Sequence, residues 1–239
     1  MAGKTALVLG GTGAVGKTLV RDLLHNGGFS RITTVGRREF EYDGPNKDIL
    51  TQKVIDFEKI DDFKDVFVGH DVVFCTLGTT RAQAGSASRF VEIDKGYVIS
   101  SAKIIKQQNQ DRDVHYLYCS STGANKDSMF LYPRTKGEIE HELGDVGFKR
   151  VTIFRPGFLK AEEERPDRRL FEKYLLGTVI GLMKLVGSKG YVDVATVGRA
   201  MRRYAVGESS ISPDAKTLEN GTQFEIFDNK SIHEMGAEK

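Results

Sequence analysis

The run Val8-Leu9-Gly10-Gly11-Thr12-Gly13-Ala14-Val15-Gly16 constrains the fold more than any other stretch of the chain. It follows the apolar residues Ala6 to Leu9, which read as a buried parallel strand, and precedes Lys17 to Leu24, where Leu19, Leu23 and Leu24 share one helical face. The glycines fall at 10, 13 and 16. One allows a tight turn, one lets the backbone approach a pyrophosphate, and one lets the helix press on the strand. The helix start then offers free N–H groups and a positive dipole end to phosphate. Gly10, Thr12, Gly13, Ala14, Val15 and Gly16 are therefore the candidate phosphate cradle, against the plainer reading of a glycine-rich turn.

Further strands are expected at Arg31–Gly36, 54–57, 71–77, 114–119 and 151–154, with helices at 61–68, 90–108 and 132–143. Strands alternating with helices imply a parallel sheet joined by right-handed crossovers. The expected class is α/β, a Rossmann-type doubly wound parallel sheet. With 239 residues the chain is long enough for one substantial core and short for two. Residues 1–159 read as the dinucleotide-binding core, and residues 160–239 as a small cap on the sheet's carboxyl edge. That tail holds helices at 194–204 and from 231, and a strand at 224–227.

The second strand ends at Gly36-Arg37-Arg38, about 20 residues beyond Gly16. An NAD site places a carboxylate there for the ribose 2′-OH; this chain places two guanidiniums, whose forks match phosphate oxygens. Arg37 and Arg38 therefore favour NADP(H), the alternative being solvated loop charges. Asp56 and Phe57, after the third strand, are positioned to flank an adenine. Leu77, Gly78 and Thr79, after the fourth, are positioned to border the nicotinamide ribose.

Tyr132 and Lys136 stand four residues apart at the start of the helix after the fifth strand, on one face. An ammonium beside a phenol favours the phenolate, so the pair can give a proton to a carbonyl oxygen or take one from an alcohol. The fifth strand ends Cys119-Ser120-Ser121-Thr122-Gly123 at the same edge. A serine hydroxyl there can hold a substrate oxygen as charge develops on it. Ser121 is preferred, Ser120 is the alternative, and both could instead cap turns.

These residues resemble the short-chain dehydrogenase/reductase superfamily in its extended or atypical branch, from Met1 to about Leu159. Its glycine motif matches Gly10, Gly13 and Gly16, and its Ser-Tyr-Lys triad matches Ser121, Tyr132 and Lys136. The resemblance implies that Lys136 also holds the nicotinamide ribose and that the backbone around Pro156 and Gly157 meets the carboxamide. Gly36-Arg37-Arg38, Val54 to Lys59, Gly69 to Val72, Leu77 to Arg81, Lys136-Gly137-Glu138 and Phe154 to Gly157 are similar to the Tat-interacting oxidoreductase family and its fungal mitochondrial outer-membrane relatives. The chain departs from the superfamily pattern twice. No counterpart of the catalytic asparagine can be placed; Tyr97 to Ser101 occupies its region. Only ten residues separate Ser121 from Tyr132.

Two functions of different class follow. One is an NADP(H)-dependent oxidoreductase acting on a small-molecule carbonyl or secondary alcohol. The other is a nucleotide-sensing interaction protein with little catalysis. A net charge of +2 and the lack of a basic run argue against nucleic acid. Cys75 and Cys119, each in an apolar run, read as buried thiols of a reducing compartment, with no metal site. The early first strand fits no signal or transit peptide, so the expected location is the cytoplasm, with the cytosolic face of the mitochondrial outer membrane as the alternative.

The stretch Leu170 to Val186 is apolar around much of its helical circumference but carries Glu172, Lys173 and Lys184. At about 25 Å it falls short of a bilayer core. Three placements stay open: buried in the cap, lining an apolar pocket or a homodimer contact, or lying peripherally in a membrane surface. The first is preferred. The preceding run Glu162 to Arg169 reads as a charged loop, and Arg81, in the loop after the fourth strand, as either an anion contact or a surface pairing.

Overall fold

A computed structural model describes residues 3–160 and 190–237 of the chain. The charged loop expected at 162–169 and the apolar stretch at 170–186 lie outside the described residues.

Strands β1 (Thr5–Leu9), β2 (Arg31–Gly36), β3 (Leu50–Val54), β4 (Val72–Cys75), β5 (His115–Cys119), β6 (Arg150–Phe154), β9 (Asp214–Thr217) and β10 (Gln223–Phe227) form one sheet in the order β3-β2-β1-β4-β5-β6-β10-β9. Every neighbouring pair is parallel except β10 with β9. Strand β1 lies between β2 and β4, so the chain leaves its two central strands toward opposite sides. That reversal opens a crevice beyond the carboxyl ends of β1 and β4, where open α/β sheets bind ligands.

The central strands are apolar throughout because both faces are covered. Ala6 and Val8 face one core with Val72, Phe74, Leu117 and Cys119; Leu7 and Leu9 face the other with Val73, Cys75, Tyr116 and Tyr118. The first core is closed by helices α1 (Ala14–Asn26), α6 (Val194–Val206) and α7 (Asn229–Gly236). The second is closed by 3-10 turns over Phe57–Phe67 and by α4 (Tyr97–Gln108) and α5 (Leu131–Asp145). Helix α6 packs closely on α1: a Cβ on Gly198 would stand 2.9 Å from the Leu19 nitrogen. The buried Arg202 guanidinium meets Asp22 across that contact at 2.7 Å. Both cysteines are free and buried, and burial pushes the Cys75 thiol to about 11 and the Cys119 thiol to about 12.

Several expectations are corrected. The third strand runs over Leu50–Val54, not 54–57. Its residues are mostly exposed and polar, so hydrophobicity does not mark it, whereas the apolar Ile55 and Phe57 are buried beyond its end. There Asp56 accepts the Glu58 N–H at 3.0 Å and turns the chain into the 3-10 segment. The helix expected at 90–108 is interrupted: α3 (Ala87–Val91) passes through a π turn at Glu92–Gly96 into α4. The loop after β4 contains a short helix α2 (Arg81–Ala84), capped by Thr80.

The tail also differs. Residues 190–237 do not stand over the sheet edge as a cap. They complete the Rossmann layers, β10 pairing with β6 along Gln223–Phe227 and α6 packing on α1. A second, two-stranded sheet joins β7 (Phe158–Lys160) to β8 (Tyr191–Asp193).

Candidate functional site

The glycine turn is built as its spacing requires. Gly10 has φ +85°, and a Cβ there would lie 2.9 Å from the Leu77 nitrogen of the neighbouring loop. At Gly16 a Cβ would lie 2.1 Å from the Gly10 carbonyl oxygen, so no side chain fits between helix and turn. Helix α1 begins after Gly13 with no side-chain cap and no acidic residue in its first turn. The start of α1 at Ala14, Val15 and Gly16, with Thr12 in the turn before it, therefore keeps the positive end that a phosphate needs. The residues fit a dinucleotide pyrophosphate at this point.

Arg37 and Arg38 extend into solvent just past β2, and neither enters an ion pair among the described residues. Phe40, which the sequence did not single out, packs beside the turn: a Cβ on Gly11 would lie 3.6 Å from its ring edge. Phe40 also borders a cavity of about 500 Å³ with Tyr42, Leu50 and Gln52. The Phe57 ring is buried and stacked on Tyr97 at 5.1 Å, whereas the adjacent Asp56 side chain is exposed at the end of β3.

At the other end of the crevice, Lys136 is buried and in contact with three side chains. Its ammonium donates to the Tyr118 hydroxyl at 2.9 Å, lies 2.8 Å from Asp94 Oδ2, and stands 5.8 Å from the Tyr132 ring centroid. Asp94, fully buried in the π turn, also accepts the Thr79 N–H on Oδ1 at 2.7 Å. Gly78 lines the same point, where a Cβ would lie 3.4 Å from Asp94 Oδ1 and 3.6 Å from Lys136 Nζ. Burial opposes the Lys136 charge, but Tyr118, Asp94 and Tyr132 around it outweigh burial and hold the lysine well above its ordinary value. Burial keeps the Tyr118 phenol protonated. The Asp94 carboxylate is thus the charge that answers the ammonium.

Tyr132 opens α5 half-exposed, its ring 6.0 Å from Phe90, with its phenol engaged in no hydrogen bond among the described residues. The two serines separate cleanly. Ser120 is buried and donates to Glu140 Oε1 at 2.6 Å. Ser121 is part-exposed and makes only a long contact, 3.3 Å, to the Thr122 carbonyl. The short connection to Tyr132 is folded against α5, where a Cβ on Gly137 would lie 2.1 Å from the Lys126 nitrogen and the Asn125 N–H donates to the Pro133 carbonyl at 2.9 Å.

The loop after β6 joins the same edge. The Thr122 N–H donates to the Pro156 carbonyl at 2.8 Å, and Glu140 bonds both Ser120 and Arg155. The Gly157 N–H is engaged by Asn229 Oδ1 at 2.7 Å, so that particular donor is taken within the fold. Arg81, exposed at the start of α2, enters no ion pair among the described residues.

The expected residues thus gather at one sheet edge: the glycine turn, Leu77 to Thr79, Ser121, Tyr132, Lys136 and Pro156. Asp94 and Tyr118 were missed. Asp94 had a signal, a carboxylate four residues after Phe90 and three before Tyr97, on an otherwise apolar helical face. Tyr97 to Ser101, which occupies the region of the superfamily's catalytic asparagine, makes no bond to Lys136 among the described residues; Asp94, three residues before it, pairs with that lysine.

Comparison with known proteins agrees with this fold. A family model described as NAD(P)H-binding matches residues 10–178. Protein HTATIP2 of Rattus norvegicus is 37% identical over 239 residues, covering 99% of this chain and 90% of its own. The mitochondrial protein FMP52 of Candida albicans is 37% identical over 161 residues, 67% of this chain and 69% of its own. Among solved structures, a short-chain dehydrogenase/reductase of Saccharomyces cerevisiae superposes with a TM-score of 0.69 over 98% of this chain and 99% of that one, at 14% identity. At that identity the likeness is one of fold.

Proposed function

This chain belongs to the NAD(P)H-binding family, and on that premise we propose that it is an NADP(H)-dependent oxidoreductase of the short-chain dehydrogenase/reductase type, acting on a small-molecule carbonyl or secondary alcohol. The observation that carries the reading is the buried Lys136 ammonium beside Tyr132, at the carboxyl edge that the glycine turn shares.

The nicotinamide nucleotide, when bound, supplies or accepts a hydride. The residues of the chain do the rest. The start of α1 binds the pyrophosphate, and Gly13 lets it come close. Arg37 and Arg38, exposed and in no ion pair among the described residues, suit the grip of a ribose 2′-phosphate, which is the support for NADP(H) over NAD(H). The Tyr132 hydroxyl gives its proton to the carbonyl oxygen in reduction and takes it back in oxidation. Lys136 stabilises the phenolate left behind and presents its remaining N–H to the nucleotide ribose. Ser121, unlike Ser120, has a hydroxyl free to hold the substrate oxygen.

Purified protein should oxidise NADPH with members of a panel of aldehydes, ketones and quinones, and Tyr132→Phe should remove that activity. Absence of turnover despite tight NADPH binding would favour the nucleotide-sensing alternative.

For location, we place the protein in the cytosol, with the cytosolic face of the mitochondrial outer membrane as the second placement. The mitochondrial names of the fungal relatives support the second. Among the described residues no helix is long and apolar enough to cross a membrane. Fractionation with carbonate extraction distinguishes free, peripheral and integral protein.

A further inference from the structure

We propose that Asp94 is a positioning residue of this site: its carboxylate holds the Lys136 ammonium against the Tyr118 hydroxyl and, through the Thr79 N–H, ties that ammonium to the loop after β4. This rests on the reading of Tyr132 and Lys136 as the pair that handles the proton.

The geometry is specific. Asp94 is completely buried, and its two oxygens do different work. Oδ1 accepts the Thr79 N–H at 2.7 Å; Oδ2 lies 2.8 Å from Lys136 Nζ as an ion pair without an aligned hydrogen bond. The π turn at Glu92–Gly96 carries this carboxylate into the core. A π turn inserts one residue into a helix and is found disproportionately at functional sites. Lys95, the next residue, pairs instead with Glu138 and Glu142 on α5. The turn thus clamps α5 from two sides, one buried and one half-exposed.

Other groups around the ammonium cannot replace Asp94. They are Tyr118 and Cys119 from β5, Cys75 from β4 and Tyr132 from α5. Burial keeps Cys75, Cys119 and Tyr118 protonated. Among the described residues Asp94 is the charged neighbour. A buried ion pair contributes little to stability over a well-packed apolar pair, and removing one partner is costly. The value of this pair is therefore in fixing where the ammonium sits. Of its three donors one goes to Tyr118, Asp94 lies on a second side, and the third is left for the crevice.

Asp94→Asn tests this, since the amide keeps an acceptor for Thr79 and removes the charge. Without the neighbouring anion, a proton leaves the Lys136–Tyr132 pair more easily, whichever member releases it. The alkaline limb of kcat/KM for carbonyl reduction should move to lower pH by about one unit. The alkaline loss of NADPH affinity, read by fluorescence titration, should move the same way. The binding arm needs no turnover, so failure of the oxidoreductase reading would not hide the answer. Limbs that stay in place, or move to higher pH, would overturn the proposal. If Asp94→Asn does not fold, Asp94→Asn combined with Lys136→Met should recover thermal stability toward wild type. A double variant no more stable than the single one would equally overturn it.

Discussion

Ser120 donates its hydroxyl to Glu140 at 2.6 Å inside the protein, while the adjacent Ser121, at the rim of the crevice, makes only a 3.3 Å contact to the Thr122 carbonyl among the described residues. On the proposed reading these neighbouring serines are divided between structure and chemistry. Glu140 is also bonded to Arg155, so the Ser120 contact fastens the loop after β5 to the loop after β6. Ser120→Ala should cost about 2 kcal/mol of stability, because it leaves a buried carboxylate oxygen short of a donor, and should largely preserve turnover. Ser121→Ala should be near neutral for stability and lower kcat roughly 100-fold. Paired melting curves and kinetics check the division; the opposite pattern would assign the chemistry to Ser120.

Cofactor preference should reside in the two exposed guanidiniums past β2. Arg37→Ala with Arg38→Ala is expected to weaken NADPH binding by roughly 10- to 100-fold, the range of one or two charge-assisted hydrogen bonds. NADH binding should change little. Titrations of both nucleotides against both proteins decide it, and tighter NADH binding by the unmodified protein would reverse the assignment.

The glycines of the turn should fail in different ways. A methyl at Gly16 would lie 2.1 Å from a backbone oxygen, so Gly16→Ala must move helix or turn and should destabilise the fold by about 1–3 kcal/mol. At Gly13 the nearest atom is 3.2 Å away, which a small shift relieves. Gly13→Ala should fold nearly normally yet bind NADPH poorly, its methyl standing where the phosphate approaches. Denaturation and nucleotide titration of the two variants separate packing from recognition.

Acid should destabilise the protein through His115. Burial, with Arg150 and Lys4 nearby, lowers this histidine to about 3. The unfolded chain takes up the proton below about 6.5, and the folded chain does not until about 3. Stability is therefore whole above the upper value and falls as pH drops through that window, at roughly 1.4 kcal/mol per pH unit for this group. His70, also lowered by burial, adds in the same direction. His115→Gln should flatten the slope between those limits, measured by urea denaturation at several pH values; an unchanged slope would mean that His115 is protonated in the folded state.

Much of this molecule is legible in its sequence where local chemistry decides the structure. The glycine spacing gives β1, the turn and α1, and the apolar runs give β4 to β6, since both faces of those strands are buried. Legibility fails where pairing decides. Strand β3 is an exposed edge held by its register with β2, and β9 is exposed along its whole length. That β10 returns to β6 and completes the sheet follows from a long-range pairing that no local pattern announces. At the site, Tyr132 and Lys136 are readable from helical spacing. The Asp94–Lys136 contact joins two elements distant in sequence through a π turn, which periodicity cannot show.

The most direct measurement of the central claim is single-turnover and steady-state oxidation of NADPH by wild type and Tyr132→Phe against the carbonyl that wild type reduces best. Removing a general acid that acts in the transition state should lower kcat by at least about 100-fold. The dissociation constant for NADPH should change far less than kcat, since a proton donor acts in the transition state while the pyrophosphate and 2′-phosphate contacts stay in place. Equal rates for the two proteins would contradict the assignment of Tyr132 as the proton donor.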